Sequence, residues 1–287
     1  MNFYYINSNN EKVDFSDYPY LFQEGDLLDY SWGYSSRESF NNNKIKYFNK
    51  DIAEKSFKLA IVPDFTINKE ERDIALKKYA DKLLEIFEYD IIKNKDGKLY
   101  TNTGYYLSCR IYASEKSSWN LGTPFMFNTL KIVSANPYWT KETLFKFSAT
   151  NNNSFSTTGF DYPFDYPIDY QNSLITSQLI NTGYAPADFE FTIYGPCINP
   201  AFSIGENTYS FDIELGANEY LKIIRTEGEK TITKYKQNGE TENAFYTRST
   251  DFNVFEPIPV GELNVAWEGD FDFDINLLER RSEPKWI

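Results

Sequence analysis

Short apolar and aromatic runs broken by turn residues recur along most of this chain, and helical spacing is convincing in one segment only. In the first sixty residues Phe3-Tyr4-Tyr5-Ile6 gives way to Asn7–Asn10, Tyr18–Phe22 to Gln23-Glu24-Gly25, and Asn41-Asn42-Asn43 precedes Ile45–Phe48. That punctuation predicts strands joined by loops. Ser56–Val62 begins by alternating and turns fully apolar before Pro63, as a largely buried strand does. Residues 69–88 differ: Ile74, Leu76, Tyr79, Ala80, Leu83, Leu84 and Phe87 recur at helical spacing among charged residues. Asn68 is placed to cap this amphipathic helix, with Glu71 reaching back to the cap and Glu70 facing the positive helix end. Its apolar stripe is expected to pack on the chain's own sheet. Lys95-Asp96-Gly97-Lys98 then reads as a hairpin-like turn, and strands are expected at Leu99-Tyr100, Tyr105–Leu107, Cys109–Ala113 and Phe125–Ala135.

Beyond Asn136-Pro137-Tyr138-Trp139 the helical pattern disappears. Clusters at 144–147, 174–180, 189–194, 209–213, 220–224, 230–235 and 263–267 are separated mostly by Gly, Asn or Pro. Many follow at roughly ten-residue spacing, which predicts an antiparallel sandwich. Asn181-Thr182-Gly183, Gly195-Pro196 and Gly205-Glu206-Asn207 are expected as turns. The fold class is therefore mainly β: an α+β first domain over residues 1–135 with one amphipathic helix, and a β-sandwich over residues 136–287.

Charge sharpens that division. Residues 1–135 carry 18 Lys and Arg against 19 Asp and Glu, whereas residues 136–287 carry 11 against 23, so nearly all of the net −13 lies in the second part. A near-neutral half suits close packing against partners, and an acidic half suits solvent. Acidity and the lack of a basic cluster argue against nucleic-acid binding. The Lys-rich patch from Lys44 to Lys58, interrupted by Asp51 and Glu54, reads as a solvated face. Aromatic residues make up 18% of the chain, which favours strands and broad contact surfaces.

The chain contains no His, which removes His-activated nucleophiles, His acid–base chemistry and His metal ligation together. Cys109 and Cys197, one in each half and outside any CxxC pair, suggest buried thiols rather than a zinc site or disulfide. Met1–Ile6 lacks the flank and apolar core of a signal peptide, and no apolar run approaches a membrane span of ~18 residues. The expectation is a soluble protein kept in a reducing cytosol. The local repeat Asp161-Tyr162-Pro163-Phe164, Asp165-Tyr166-Pro167-Ile168, Asp169-Tyr170 makes an acidic, aromatic, Pro-stiffened loop. It lacks the alternate ligands, central Gly and terminal Glu of an EF-hand, and is read as a rigid connector.

Four features in order resemble the distal tail proteins of long-tailed phages and related tail-like particles. They are Val133-Ser134-Ala135-Asn136-Pro137-Tyr138-Trp139, the aromatic-Pro loop Phe160–Pro167, the stretch Asn181–Pro200 with Gly183, Pro186, Gly195 and Asn199-Pro200, and Pro259–Val265. Gly261 and Asn264 resemble that family's turn before a final strand. The resemblance spans most of the chain and implies a first domain that closes a six-membered ring around a channel, with a galectin-like sandwich on its outer side. It implies a virion protein of the tail tip or baseplate, assembled in the host cytoplasm, that joins the tail tube protein to a hub or lysin protein and to receptor-binding proteins. DNA passing through the channel would meet no basic lumen. Against that family the segment before the helix is long, and Ser35–Asn43 is expected as a loop particular to this particle.

Two other functions compete. A carbohydrate-binding sandwich used in host attachment could stack sugars on Tyr162 or Tyr166, although sandwich architecture does not itself confer sugar binding and no His is present to hold a galactoside. A glycoside hydrolase needs two facing carboxyls, and nothing among the 42 acidic residues singles out a pair. No catalytic, cofactor-binding or metal residue is assigned, no cofactor is expected, and the expected function is assembly.

Overall fold

In the computed structural model, which describes residues 1–39, 42–66, 68–117, 125–149, 178–226 and 228–286, the chain forms two compact units. The first comprises Met1–Lys141 together with Arg280–Ile287, and the second Glu142–Glu279. Trp139, which lies beyond the expected boundary at residue 135, is buried in the first core.

The first unit contains β1 (Phe3–Ile6), β2 (Lys12–Asp14), β3 (Ser16–Asp17), β4 (Tyr20–Gly25), β5 (Gly33–Ser39), β6 (Asn42–Asn49) and β7 (Ala53–Ile61). The helix α1 (Lys69–Lys93) follows, and then β8 (Gly97–Thr101), β9 (Tyr106–Ser117) and β10 (Met126–Ser134), before β11 (Trp139–Phe147) carries the chain into the second unit. Antiparallel pairing runs β3-β4-β7-β10-β9-β8-β1-β2. The two ends of that path are consecutive in sequence, and Phe15 joins them by donating its N–H to Phe3 O at 3.0 Å and accepting from Phe22 N–H at 2.7 Å. The sheet thus curls into a closed circuit, which leaves few open edges. Period-two alternation fills its inside: Met126, Leu130 and Ile132 of β10 are buried with Phe57, Leu59, Leu99, Leu107 and Trp139.

Helix α1 starts where the sequence predicts. Asn68 Oδ1 accepts the Glu71 N–H at 2.9 Å, and Leu76, Leu83, Ile86 and Phe87 are buried against the unit's own core. It continues to Lys93, beyond the expected end at 88, and stops at Asn94, whose left-handed backbone (φ 51°) turns its N–H onto the Asp90 and Ile91 carbonyls. Asp90 conceals this last turn from pattern reading, because a fully buried carboxylate interrupts the apolar period. It accepts the Tyr5 hydroxyl at 2.6 Å and the Ser8 N–H at 2.7 Å. Gly97, expected in a hairpin-like turn, instead opens β8. A Cβ there would meet the Tyr5 phenol and come 2.6 Å from Asp90 Oδ2, so only Gly lets the strand pass this pair.

The second unit holds β12 (Gln178–Asn181), β13 (Asp188–Tyr194), β14 (Cys197–Ile198), β15 (Ala201–Ile204), β16 (Asn207–Ser210) and β17 (Glu214–Leu215). After these come β18 (Tyr220–Arg225), β19 (Lys230–Tyr235), β20 (Thr241–Asn243), β21 (Gly261–Trp267) and β22 (Phe273–Arg281), the last of which returns the chain to the first unit. One sheet runs β20-β19-β18-β13-β22-β11, the other β12-β21-β15-β16, and β14 pairs with β17. Inward aromatic rings meet in one core: Phe202 stacks on Phe273 at 4.5 Å, and Tyr209 meets Phe191 edge-on at 5.0 Å. This is the expected sandwich. Gly261-to-Asn264, expected as a turn, lies within β21 and pairs with β12, Gly261 taking φ 112° at the strand's start.

Candidate assembly surface

The described residues 35–39 and 42–43 of the segment expected as a loop at Ser35–Asn43 belong to a two-stranded ribbon, β5–β6, that pairs with no other described strand. Its side chains show why a ribbon forms and why it stays uncovered. Tyr34 lies opposite Phe48, Ser35 opposite Tyr47, and Ser36 opposite Ile45, so Lys46 is the extra residue of a bulge. Opposed pairs alternate in facing, and the bulge therefore brings Ile45 to the same face as Tyr34 and Phe48, while Tyr47 occupies the other. Tyr34 and Phe48 meet edge-on at 6.3 Å. These four residues are 64% (Tyr34), 52% (Ile45), 60% (Tyr47) and 57% (Phe48) exposed, a concentration of apolar surface that marks an interaction site. A lone hairpin is marginal in water, so this one gains most from a partner. The ribbon also carries Arg37, Lys44 and Lys46 against the single acidic Glu38.

Lys50 fastens the base of the ribbon. Its ammonium lies 4.4 Å from the Tyr138 ring centre, 5.1 Å from Trp32 and 5.7 Å from Tyr30, and donates to Pro137 O at 3.1 Å. Arg280 covers Tyr138 at 4.9 Å. Burial, with the charge of Lys55 nearby, lowers the Lys50 pKa to about 8. Lys55 is also lowered, by burial first, while the charges of Asp26 and Asp29 oppose the shift, and its ammonium donates to the carbonyls of both. Both lysines line a cleft of about 350 Å³ together with Asp26, Asp29, Asp51 and Glu54. The junction Asn136–Trp139 singled out in the sequence is thus the anchor of the ribbon.

Asp29 and Tyr30 also edge a second depression, of about 680 Å³. Phe3, Phe22 and Leu28 line it with Trp286, and its charged lining groups are the side chains of Asp29 and Glu283 and the Met1 ammonium. Trp286 is 64% exposed and held by an indole N–H donated to Glu283 Oε1 at 2.7 Å.

The remaining candidates from the sequence fall elsewhere. The Asp161–Tyr170 repeat, with Tyr162 and Tyr166, lies outside the described residues. Among the described residues no group of three or more His, Cys, Asp or Glu is placed to hold a metal ion. Cys109 and Cys197 are separate buried thiols, their pKa values raised by burial, that of Cys197 to about 11. No described helix is long and apolar enough to cross a membrane. The strand expected at Ile45–Phe48 lies in β6, whereas its partner β5 and the Lys50 anchor were missed, although Tyr30, Trp32, Tyr34, Tyr47 and Phe48 within nineteen residues were an available signal.

Comparison of the sequence with protein-family models and with curated proteins gives no match. Solved structures do match. The Dit protein of phage SPP1, described as a paradigm of the hub adsorption apparatus of phages infecting Gram-positive hosts, aligns with TM-score 0.58 and 12% identity over 97% of this chain and 99% of its own. Chains of the phage P2 baseplate in its activated conformation, with Ca and with Sr, align at TM-scores 0.57 and 0.56, each at 12% identity and over 99% of both chains. The chain has the fold of these phage baseplate and hub proteins.

Proposed function

We propose that this chain is a structural protein of a phage tail tip or baseplate and works by assembly rather than catalysis. The observation that carries the proposal is the full-length likeness in fold to the Dit hub and baseplate chains, which leaves no large part of either chain unmatched. The first unit supplies the physical means, a near-neutral body bearing an exposed aromatic ribbon. In this reading six copies close a ring through their first units, around a channel wide enough for DNA. The ring joins the tail tube protein on one side to a tail-associated hub or lysin protein on the other, with receptor-binding proteins as further partners. The protein acts in the virion after assembly in the host cytoplasm, and the acidic second unit keeps the assembly soluble.

The test has two parts. Sedimentation of the purified full chain, with negative-stain imaging, is expected to give annular particles of six subunits. Labelling of intact tails with antibody against this chain is expected to mark the tip. Signal distributed along the tail shaft or on the head would defeat the proposal. A sugar-binding role through Tyr162 and Tyr166 gains nothing from the described residues and is not adopted.

A further inference from the structure

We propose that the β5–β6 ribbon of one copy docks into the depression bounded by Leu28, Asp29, Glu283 and Trp286 on the next copy. This rests on the assembly role above and adds which two surfaces meet. Three observations lead to it. The ribbon presents Tyr34, Ile45 and Phe48 on one face, all more than half exposed, so it brings apolar side chains in need of cover. The depression, about 680 Å³, has Phe22, Leu28 and Trp286 in its lining above buried Phe3 and offers an apolar wall to such a side chain.

Charge selects a second copy as the occupant. The ribbon has an excess of positive charge from Arg37, Lys44 and Lys46, while the charged side chains lining the depression, Asp29 and Glu283, outnumber the Met1 ammonium that also lines it and leave it net negative. Basic ribbon and acidic rim are complementary, and each chain carries one of each on the same unit. Two different, mutually complementary patches make a head-to-tail contact. Repeated around a closed ring, it leaves neither patch of any copy uncovered.

Sedimentation of four full-length forms tests the inference: wild type, Lys44→Glu with Lys46→Glu, Asp29→Lys with Glu283→Lys, and all four substitutions together. The substituted positions in the ribbon and Asp29 are exposed, so folding is expected to survive, and a thermal melt of each form checks it. Wild type is expected to associate, each double variant to associate roughly tenfold or more weakly, and the quadruple variant to recover, because reversing both sides restores attraction. Ile45→Asp with Phe48→Asp is expected to abolish association at any salt concentration. A wild-type oligomer indifferent to the ribbon variants would overturn the docking while leaving the tail-tip proposal to the antibody labelling. Weakening by the ribbon variants without recovery in the quadruple form would also overturn it, by placing the ribbon against another surface. A monomeric wild type at all concentrations would overturn it outright.

Discussion

At the scale of residues, the first unit depends on one buried polar triangle. The Tyr5 hydroxyl is kept protonated, its pKa pushed far upward mainly by burial, then by Cys109 and by its hydrogen bond to Asp90. Tyr5→Phe would leave the Asp90 carboxylate short of a donor in a buried site, and is expected to lower unfolding stability by about 1–3 kcal/mol in a urea titration. Gly97→Ala would force a methyl group against the same pair, with an expected loss of about 1–3 kcal/mol by the same measurement. Lys50 offers a different kind of test. With its pKa near 8, about half of it is uncharged at pH 8, whereas an ordinary lysine is almost wholly protonated. An amine-reactive reagent at that pH is expected to modify Lys50 ahead of exposed Lys12 in peptide mass analysis. Because the folded pKa lies below the ordinary value, charged Lys50 disfavours folding below about pH 8, and that penalty fades as pH rises from 8 toward the ordinary lysine value. The denaturation midpoint of wild type should therefore gain on that of Lys50→Met across this window.

Elements follow the sequence closely where burial obeys a period, and depart from it where a polar residue is buried or an apolar one exposed. The start of α1 and strand β10 were legible, since Asn68 caps as its type predicts and β10 alternates through nine residues. The end of α1 was not, because Asp90 looks like a solvent residue until Tyr5 and Ser8 arrive from a strand and turn 80 and more positions away. Strand β22 was also overlooked: Phe273, Ile275 and Leu277 alternate with Asp274 and Asn276, but the surrounding acids resemble a solvated tail. The ribbon is the opposite case: Ile45–Phe48 was legible as a strand in a solvated Lys-rich stretch, but its partner strand and the clustering of its exposed aromatic side chains were not. Replacing residues 35–47 with a two-residue turn is accordingly expected to leave the melting temperature within about 2 °C of wild type, since none of the ribbon's described side chains belongs to either core. A large drop would mean that the ribbon supports the fold itself.

For the whole molecule, the second unit is one continuous segment, Glu142–Glu279, while the first also includes the returning Arg280–Ile287. A fragment spanning 142–279 carries its entire aromatic core and is expected to unfold cooperatively alone, whereas 1–141 is expected to lose stability relative to a fragment with 280–287 fused back. Calorimetry of the three fragments checks both expectations. What the sequence by itself determined was the class of fold: strand and helix periods, the cap at Asn68 and the near-neutral and acidic halves are local properties, readable wherever local preference and burial agree. Only the tertiary structure decided that β2 and β3 close the first sheet, that Asp90 and Gly97 accommodate Tyr5, and that Tyr34, Ile45 and Phe48 face solvent on a pinned ribbon. The reason is physical. Each of these depends on which distant group fills or leaves empty the space beside a residue, and that is fixed by packing rather than by the neighbours along the chain.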